Sequence, residues 1–375
     1  MFIKTVISFI LAHLMFLGGT NTKVYVAPEE PISIQATTTN TIAIATSSII
    51  KTIKDTKPTT TETKKTTVKK PAEVQKTTPE VVVQPQIPKA PEPTPDFEAI
   101  NTFARKATVN ILCTTKGGEL NPISGTGAIV EPNGLILTNA HVAQYLLLKD
   151  YREKDFIQCV ARTGSPAYPT YNLELVYISP TWVANNKTEL KEQNPKGTGE
   201  DDFAFLRITK MIDNSNLPEQ LPFITMNVRE NIEINEPVIL VSYPAGFLGG
   251  LSILQNLNIT SSITNIQDVY TFKDGTIDII SVGGTIVSQK GSSGGLVVDK
   301  KATLIGVIST SSDGDTTSQR GLNAITLAYI NRDLQRELKI NFAQFLSQDP
   351  GDFAKMFAST TAPELTKLIT DELNK

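Results

Sequence analysis

The sequence predicts an all-β folded region, closed by helices at its C-terminal side and preceded by a long arm without a core. Three observations carry this expectation. From about residue 107 to residue 330 the chain breaks into short segments rich in Val, Ile, Thr and aromatics, separated by Gly, Pro and Asn. No helical pattern alternates with those segments, which disfavours a parallel βαβ sheet. After Ile330, Leu334, Leu338, Phe342, Phe345 and Leu346 recur at spacings of three and four, the period of a helix face. The chain has 375 residues, 40% hydrophobic and 19% charged, enough for about two domains or one large β unit.

Taken in order, the elements begin with Lys4 ahead of an apolar run over residues 5–19. One basic residue before a short apolar stretch is the pattern of a secretory signal, cleaved or retained as an anchor, and is short for a full span. Residues 1–27 are read as that signal. Thr37–Thr78 then holds fifteen threonines among many lysines, and Pro79–Pro95 holds six prolines. Such a segment buries too little apolar surface to offset the entropy of ordering, so residues 28–96 read as a disordered linker. Asp96–Lys106 reads as a short helix. The strands expected next are Ala107–Thr115, Ser124–Glu131, Gly134–Val142, Asp155–Arg162, Tyr171–Ile178 and Asp202–Thr209. A second set follows at Glu236–Tyr243, Ser252–Ile263, Ile277–Val287, Gly294–Val298, Thr303–Thr310 and Gly321–Ile330. Six and six at these spacings suit a sandwich or barrel. Residues 332–375 read as helices, one of them over Pro363–Leu373.

Composition also excludes chemistry. A net charge of −3 argues against non-specific nucleic-acid binding. Two cysteines and two histidines leave no set of ligands for a zinc site, and His13 sits inside the apolar N-terminal run. No metal, no nucleotide-binding loop and no cofactor are expected.

Three motifs remain. In Gly291-Ser292-Ser293-Gly294-Gly295, glycines on both sides of a serine allow a tight turn whose N–H groups can point at a developing oxyanion. Alone this is more often just a turn. His141 follows the apolar run Leu135-Ile136-Leu137 and is the sole histidine of the folded region, so a histidine base can only be His141. Asp202 stands directly before the apolar run Phe203-Ala204-Phe205-Leu206, where a half-buried carboxylate needs a partner such as an imidazole N–H. Asp201 reads as a solvated loop acid.

The order His141, Asp202, Ser293 resembles the trypsin-like (chymotrypsin-fold) serine proteases, and more narrowly the HtrA/Deg-type branch. Gly125-Thr126-Gly127-Ala128-Ile129-Val130 and Gly134–Val142 look like that branch's second and third strands. Asp202–Leu206 is similar to its aspartate strand, and Val238–Gly246 to the first strand of its second barrel. The resemblance implies two six-stranded Greek-key β-barrels over residues 97–331, with the active site between them. It implies Ser293 as nucleophile, His141 as general base and Asp202 as its orienter, with the N–H groups of Gly291 and Ser293 as the oxyanion hole. It places Val287 and Ser288 at the base of the substrate pocket, with Ser309 and Ala324 on its walls. No acid lies among Val287-Ser288-Gln289-Lys290, so small or medium apolar side chains are expected at the cleaved position. It also makes the strands of Cys113 and Cys159 neighbours; a disulfide in an oxidising compartment and two buried thiols are both open. The Gly-x-Ser-x-Gly elbow of α/β-hydrolases fits Gly291–Gly295 too, but needs a histidine after the serine, and none follows His141.

Two departures stand out. The polar stretch Val183–Gly199 lengthens the His141-to-Asp202 spacing and reads as a surface loop, able to form a cleft wall. The 45 residues after Ile330 are too few for the PDZ domain common in that branch. The expected protein is an exported, bacterial-type serine endopeptidase of the periplasm, envelope or exterior. Its substrates would be unfolded or damaged proteins, and residues 5–19 could hold it at a membrane. A catalytically silent barrel module is the alternative.

Overall fold

The computed structural model describes residues 95–117, 120–192, 197–272 and 275–375. The N-terminal signal, His13 and the linker up to residue 94 lie outside the described residues. Among the described residues no helix is long and apolar enough to cross a membrane.

Helix α1 (Phe97–Lys106) is capped by Asp96, whose carboxylate accepts from Ala99 N at 2.9 Å, and it buries Ile100 and Ala104. Six strands follow: β1 (Thr108–Thr115), β2 (Ile123–Ile129), β3 (Leu135–Thr138), β4 (Ile157–Thr163), β5 (Tyr168–Ile178) and β6 (Ala204–Met211). They close into an antiparallel barrel in the order β1-β2-β3-β6-β5-β4. Its interior is filled by Val109, Ile111, Ile136 and Leu206, all fully buried, the first three converging on Gly127. The short helix α2 (Ala140–Ala143) follows β3, and α3 (Pro180–Asn186) follows β5. The β1–β4 register sets Cys113 opposite Cys159, and the two are disulfide-bonded, with an S–S distance of 2.07 Å.

The second sheet holds β7 (Pro237–Ser242), β8 (Thr260–Asn265), β9 (Asp268–Tyr270), β10 (Ile279–Ser281), β11 (Leu296–Asp299), β12 (Leu304–Ser311) and β13 (Leu322–Thr326). Its order is β8-β7-β11-β12-β13-β10-β9, antiparallel throughout. The two outer strands, β8 and β9, are consecutive in the chain and separated only by Ile266 and Gln267. The sheet therefore curls, bringing its two outer strands to that corner, and forms a half-barrel in addition to the closed one.

This sheet has seven strands where the sequence suggested six. β9 is three residues long, too short to show a period. The run expected as a strand over Ser252–Ile263 splits instead into helix α4 (Gly250–Gln255) and β8. Its front half has leucine at 254 and 257, not branched at Cβ, and β-branched residues cluster only from Ile259 onward. The expected strand over Ile277–Val287 stops at Ser281, just before Gly283-Gly284, and the one over Gly321–Ile330 stops at Thr326. Thr326 caps the next helix by accepting from Tyr329 N at 3.0 Å.

The C-terminal helices are α5 (Leu327–Leu338), which lies against β12 and β13, and α6 (Phe342–Leu346), α7 (Pro350–Thr360) and α8 (Ala362–Leu373), which pack onto the first barrel. Helix α7 lies within the stretch read as helical without bounds of its own, and Asp349-Pro350 marks its start: Asp349 accepts from Gly351 N and Asp352 N at 2.9 Å. Phe345, Phe353 and Phe357 from the helices meet Tyr177, Phe203 and Phe205 from the barrel, with Phe205 and Phe345 rings 4.6 Å apart. Beside this apolar joint lies a polar one. Asp201, read from sequence as solvated, is 4% exposed. It accepts from the Tyr329 hydroxyl at 2.7 Å and from Arg336 Nη2 at 2.8 Å. Arg336 also pairs with Asp333, and Glu337 accepts from Ser179 Oγ at 3.0 Å and from the Tyr177 hydroxyl.

Asp333 is buried beside Asp201 and Glu337. Burial first, then those two charges, push its carboxyl up to about 8 against the opposing pull of Arg336. A carboxyl raised in the folded state favours folding only while protonated, so its contribution falls away as pH rises from about 4 to about 8. We expect Asp333→Asn to gain stability relative to the parent as pH increases across that window, read as the difference in urea midpoints at each pH. A difference independent of pH would contradict the raised carboxyl.

Candidate functional site

The barrel registers determine what meets at the cleft. β3 pairs with β6 so that Thr138 lies opposite Ala204. The residues just beyond those ends, His141 and Asp202, are thereby brought to one rim of the first barrel. Asn139 Nδ2 donates to the Asp202 backbone carbonyl at 2.9 Å and ties the two chain ends together. Asp202 Oδ1 accepts from the His141 backbone N–H at 3.0 Å, and its Oδ2 lies 2.8 Å from His141 Nδ1. The Asp202 side chain is 5% exposed and that of His141 23%. With Nδ1 held by the carboxylate, the second ring nitrogen, Nε2, is left without a partner among the described residues.

The second barrel adds a third donor. Ser309 Oγ, from β12, donates to Asp202 Oδ2 at 2.7 Å. It can do so because the β12–β13 register shifts between Ile308 and Thr310, which takes Ser309 out of the ladder. Burial pushes Asp202 up, but the His141 charge and hydrogen bonds and the Ser309 hydroxyl outweigh it and hold the carboxyl below its ordinary value. Burial pulls His141 down, while the charge and hydrogen bond of Asp202, helped by Glu189, raise it above 6.5 overall.

Residues 291–295 pass against β2. Thr126 N donates to the Ser293 carbonyl at 2.7 Å, and Thr126 Oγ1 donates to the Gly291 carbonyl at 2.8 Å while accepting from Tyr243 N at 3.0 Å. Gly294, at φ +83°, leaves no room for a side chain: a Cβ there would fall 1.8 Å from the Thr126 carbonyl oxygen and 2.5 Å from Thr138 Oγ1. The serine loop is thus pressed onto the end of β3, three residues before His141. Ser293 itself is half-buried, and its Oγ has no hydrogen-bond partner among the described residues.

The Lys290 carbonyl accepts from Ala245 N at 2.7 Å. In a trans peptide the carbonyl and the following N–H point in opposite directions, so the Gly291 N–H is aimed away from Ala245. Gly291 takes φ +91°, a conformation that suits glycine. Neither the Gly291 nor the Ser293 N–H donates to another group among the described residues. Ser292, fully buried, anchors the turn from beneath: its Oγ donates to the Val287 carbonyl at 2.6 Å and lies 2.9 Å from Ser242 Oγ. Because the Ser292 proton goes to Val287, Ser242 supplies the proton between the two hydroxyls.

Residues 125–307 match a family model described as a trypsin-like peptidase domain, and the span includes His141, Asp202 and Ser293. This stretch is thus similar to a trypsin-like peptidase domain. Solved structures similar to it include the HtrA-type protease AlgW with a tripeptide, at 20% identity over 64% of this chain and 64% of that one, with a TM-score of 0.42. The Rv3671c protease of M. tuberculosis is similar in its inactive form, at 16% identity over 65% of this chain and 98% of that one, TM-score 0.40. Its active form gives 16% identity over 65% and 88%, TM-score 0.39. The chain thus spans a little under two thirds of the length of the first of these. No curated protein sequence matches significantly.

Within the peptidase domain, the four residues expected around a substrate pocket occupy distinct settings. Val287 and Ala324 are fully buried among Val297 and Ile308 of the second barrel. Ser288 is buried, its Oγ accepting from Thr285 N at 3.3 Å, and the Ser309 hydroxyl is spent on Asp202. Three residues near the site carried no distinctive sequence signal: Thr126, Ser242 and Glu189. Glu189 lies in the stretch read as a surface loop able to form a cleft wall; it holds the end of α3, with Val183 buried, and a 3₁₀ turn over Glu189–Lys191. Burial, against the pull of His141 and with the push of Asp202 and Glu192, raises the Glu189 carboxyl to about 7.

Replacing Thr126 by valine keeps its shape and strips both bonds from its hydroxyl. The Tyr243 N–H and the Gly291 carbonyl are then left buried and unpaired, at about 1–3 kcal/mol each. We expect Thr126→Val to unfold at a lower urea midpoint, with no change in the midpoint counting against a bridging role for this hydroxyl.

Proposed function

We propose that the protein is an exported serine endopeptidase in which Ser293 is the nucleophile, His141 the general base and Asp202 its orienting acid. The observation that carries this reading is the 2.8 Å contact of His141 Nδ1 with Asp202 Oδ2. It fixes the tautomer with the proton on Nδ1 and leaves Nε2 as the basic nitrogen. Nε2 takes the Ser293 hydroxyl proton as Oγ attacks the peptide carbonyl. The resulting imidazolium is stabilised by the Asp202 carboxylate. The proton then passes to the departing amine, the acyl-enzyme remains on Oγ, and water releases it by the same steps in reverse roles. The oxyanion accepts from the N–H groups of Gly291 and Ser293, each such donor contributing about 3–4 kcal/mol of transition-state stabilisation.

Export is supported by the basic residue and apolar run at residues 4–19 and by the Cys113–Cys159 bond, which suits an oxidising compartment. Unfolded or damaged proteins of the envelope are the proposed substrates, reached by a barrel held on a long Thr/Lys/Pro-rich arm. The absence of an acidic side chain from residues 287–290 favours small or medium apolar residues at the cleaved position. A peptide library should show cleavage after Ala, Val or Leu; dominant cleavage after Arg or Lys would refute this preference.

The purified protein should react with a fluorophosphonate and digest casein, and Ser293→Ala should do neither. No labelling of the parent under any condition would instead favour a silent binding module. The pH profile gives a second check. The base must be neutral, so activity is present above the His141 pKa and lost as pH falls through it, with a midpoint above 6.5. Glu189→Gln removes one of the charges that raise His141, and should shift that midpoint downward without abolishing labelling. An unmoved midpoint would show that Glu189 does not act on the base.

A further inference from the structure

The stretch between α3 and Asp202 folds over the acid of the site. Gly199 takes φ +88° and runs so close to β12 that a Cβ on it would lie 3.2 Å from Ser309 Oγ, the hydroxyl that donates to Asp202. Two residues earlier, a Cβ on Gly197 would lie 3.7 Å from Glu189 Oε1. Glu189, at the start of the 3₁₀ turn, is thereby folded back towards the Asp202–His141 pair, and its charge and theirs act on one another. The lysines of the same turn region face elsewhere. Lys191 Nζ lies 3.9 Å from Glu372 Oε1 on α8, and the charge of Lys187 acts on that same carboxylate. Glu189 is half-buried, and its carboxylate has neither a hydrogen bond nor an ion pair among the described residues.

This sets Glu189 apart from the buried acids Asp201, Asp202 and Asp278, each of which meets an arginine or the imidazole. A carboxylate drawn partly out of water without a donor is held at a cost that a cation beside it relieves. The site is open to such a cation from the cleft, since the neighbouring His141 side chain is 23% exposed. Side chains of an extended peptide point alternately to opposite sides. With the cleaved residue turned towards Val287 and Ser288 of the second barrel, the residue before it turns towards the rim of the first, where His141 and Glu189 stand. We propose that Glu189 is a specificity-determining residue that pairs with a Lys or Arg side chain immediately before the cleaved residue of the substrate. Which substrate position the cation occupies rests on the protease reading above.

The test is binding of dye-labelled peptides Ala-Ala-Xaa-Val-Ala-Ala to the full chain carrying Ser293→Ala, read by fluorescence anisotropy, with lysine, norleucine or glutamate at Xaa. The lysine peptide should bind about tenfold tighter than the norleucine one, and the glutamate peptide weakest of the three. Adding Glu189→Gln should remove the difference between lysine and norleucine, and Glu189→Asp should restore part of it. Glu189→Lys should invert the order in favour of glutamate, a result that loss of structure cannot produce. Equal binding of lysine and norleucine, no binding of any peptide at millimolar concentration, or a lysine preference that survives Glu189→Gln would overturn the proposal. Fluorophosphonate labelling of the parent, run alongside, separates the two ideas: an unlabelled parent counts against the protease reading, whereas the peptide comparison needs no catalysis and decides the role of Glu189 by itself.

Discussion

A carboxylate can be taken out of water only if its charge is met by donors, and Asp202 is the point where this molecule satisfies that constraint. Its side-chain oxygens accept from the backbone and the ring of His141 and from the Ser309 hydroxyl. The first two partners come from the chain leaving β3, the third from the second barrel. One buried acid therefore orients the imidazole and also fastens the two barrels across the cleft. The local devices follow from it: the Asn139 bond to the Asp202 carbonyl, the irregularity that turns Ser309 out of β12, and the close approach of Gly294 to the end of β3.

The neighbouring Asp201 extends this junction outward. It points into the C-terminal helices, where Tyr329 and Arg336 bind it beside the aromatic joint of Phe345, Phe353 and Phe357 with Tyr177 and Phe205. The helices are thus part of the folded unit and share a loop with the acid of the site. Two adjacent aspartates divide the work: one faces the cleft, the other anchors the segment that supports it.

Much of this was legible in the sequence, and the limits are physical. The strands of the first barrel stood out because Val, Ile and Thr runs end at Gly or Pro, and His141 stood out by being alone. The chemistry of Asp202 was readable from its position before an apolar strand. Its partner Ser309 was noticed as a pocket wall, because a register shift in the β12–β13 pairing leaves no trace in a linear pattern. Asp201 looked solvated for a related reason: the tyrosine and arginine that bury it arrive from more than a hundred residues away. β9 and α4 were missed where three residues carry no period and where an apolar run suits both helix and strand. Thr126 and Ser242 could not be singled out at all, since a threonine or serine in a strand is ordinary until its hydroxyl is seen bridging the serine loop.

The account turns on Ser293, His141 and Asp202 acting together in one cleft. The most direct measurement is a crystal structure of the protein after reaction with a peptidyl phosphonate. The account predicts a bond from Ser293 Oγ to phosphorus, the phosphoryl oxygen against the N–H groups of Gly291 and Ser293, and His141 still held by Asp202. Phosphorus on any other residue, or a phosphoryl oxygen turned away from those two amides, would contradict it.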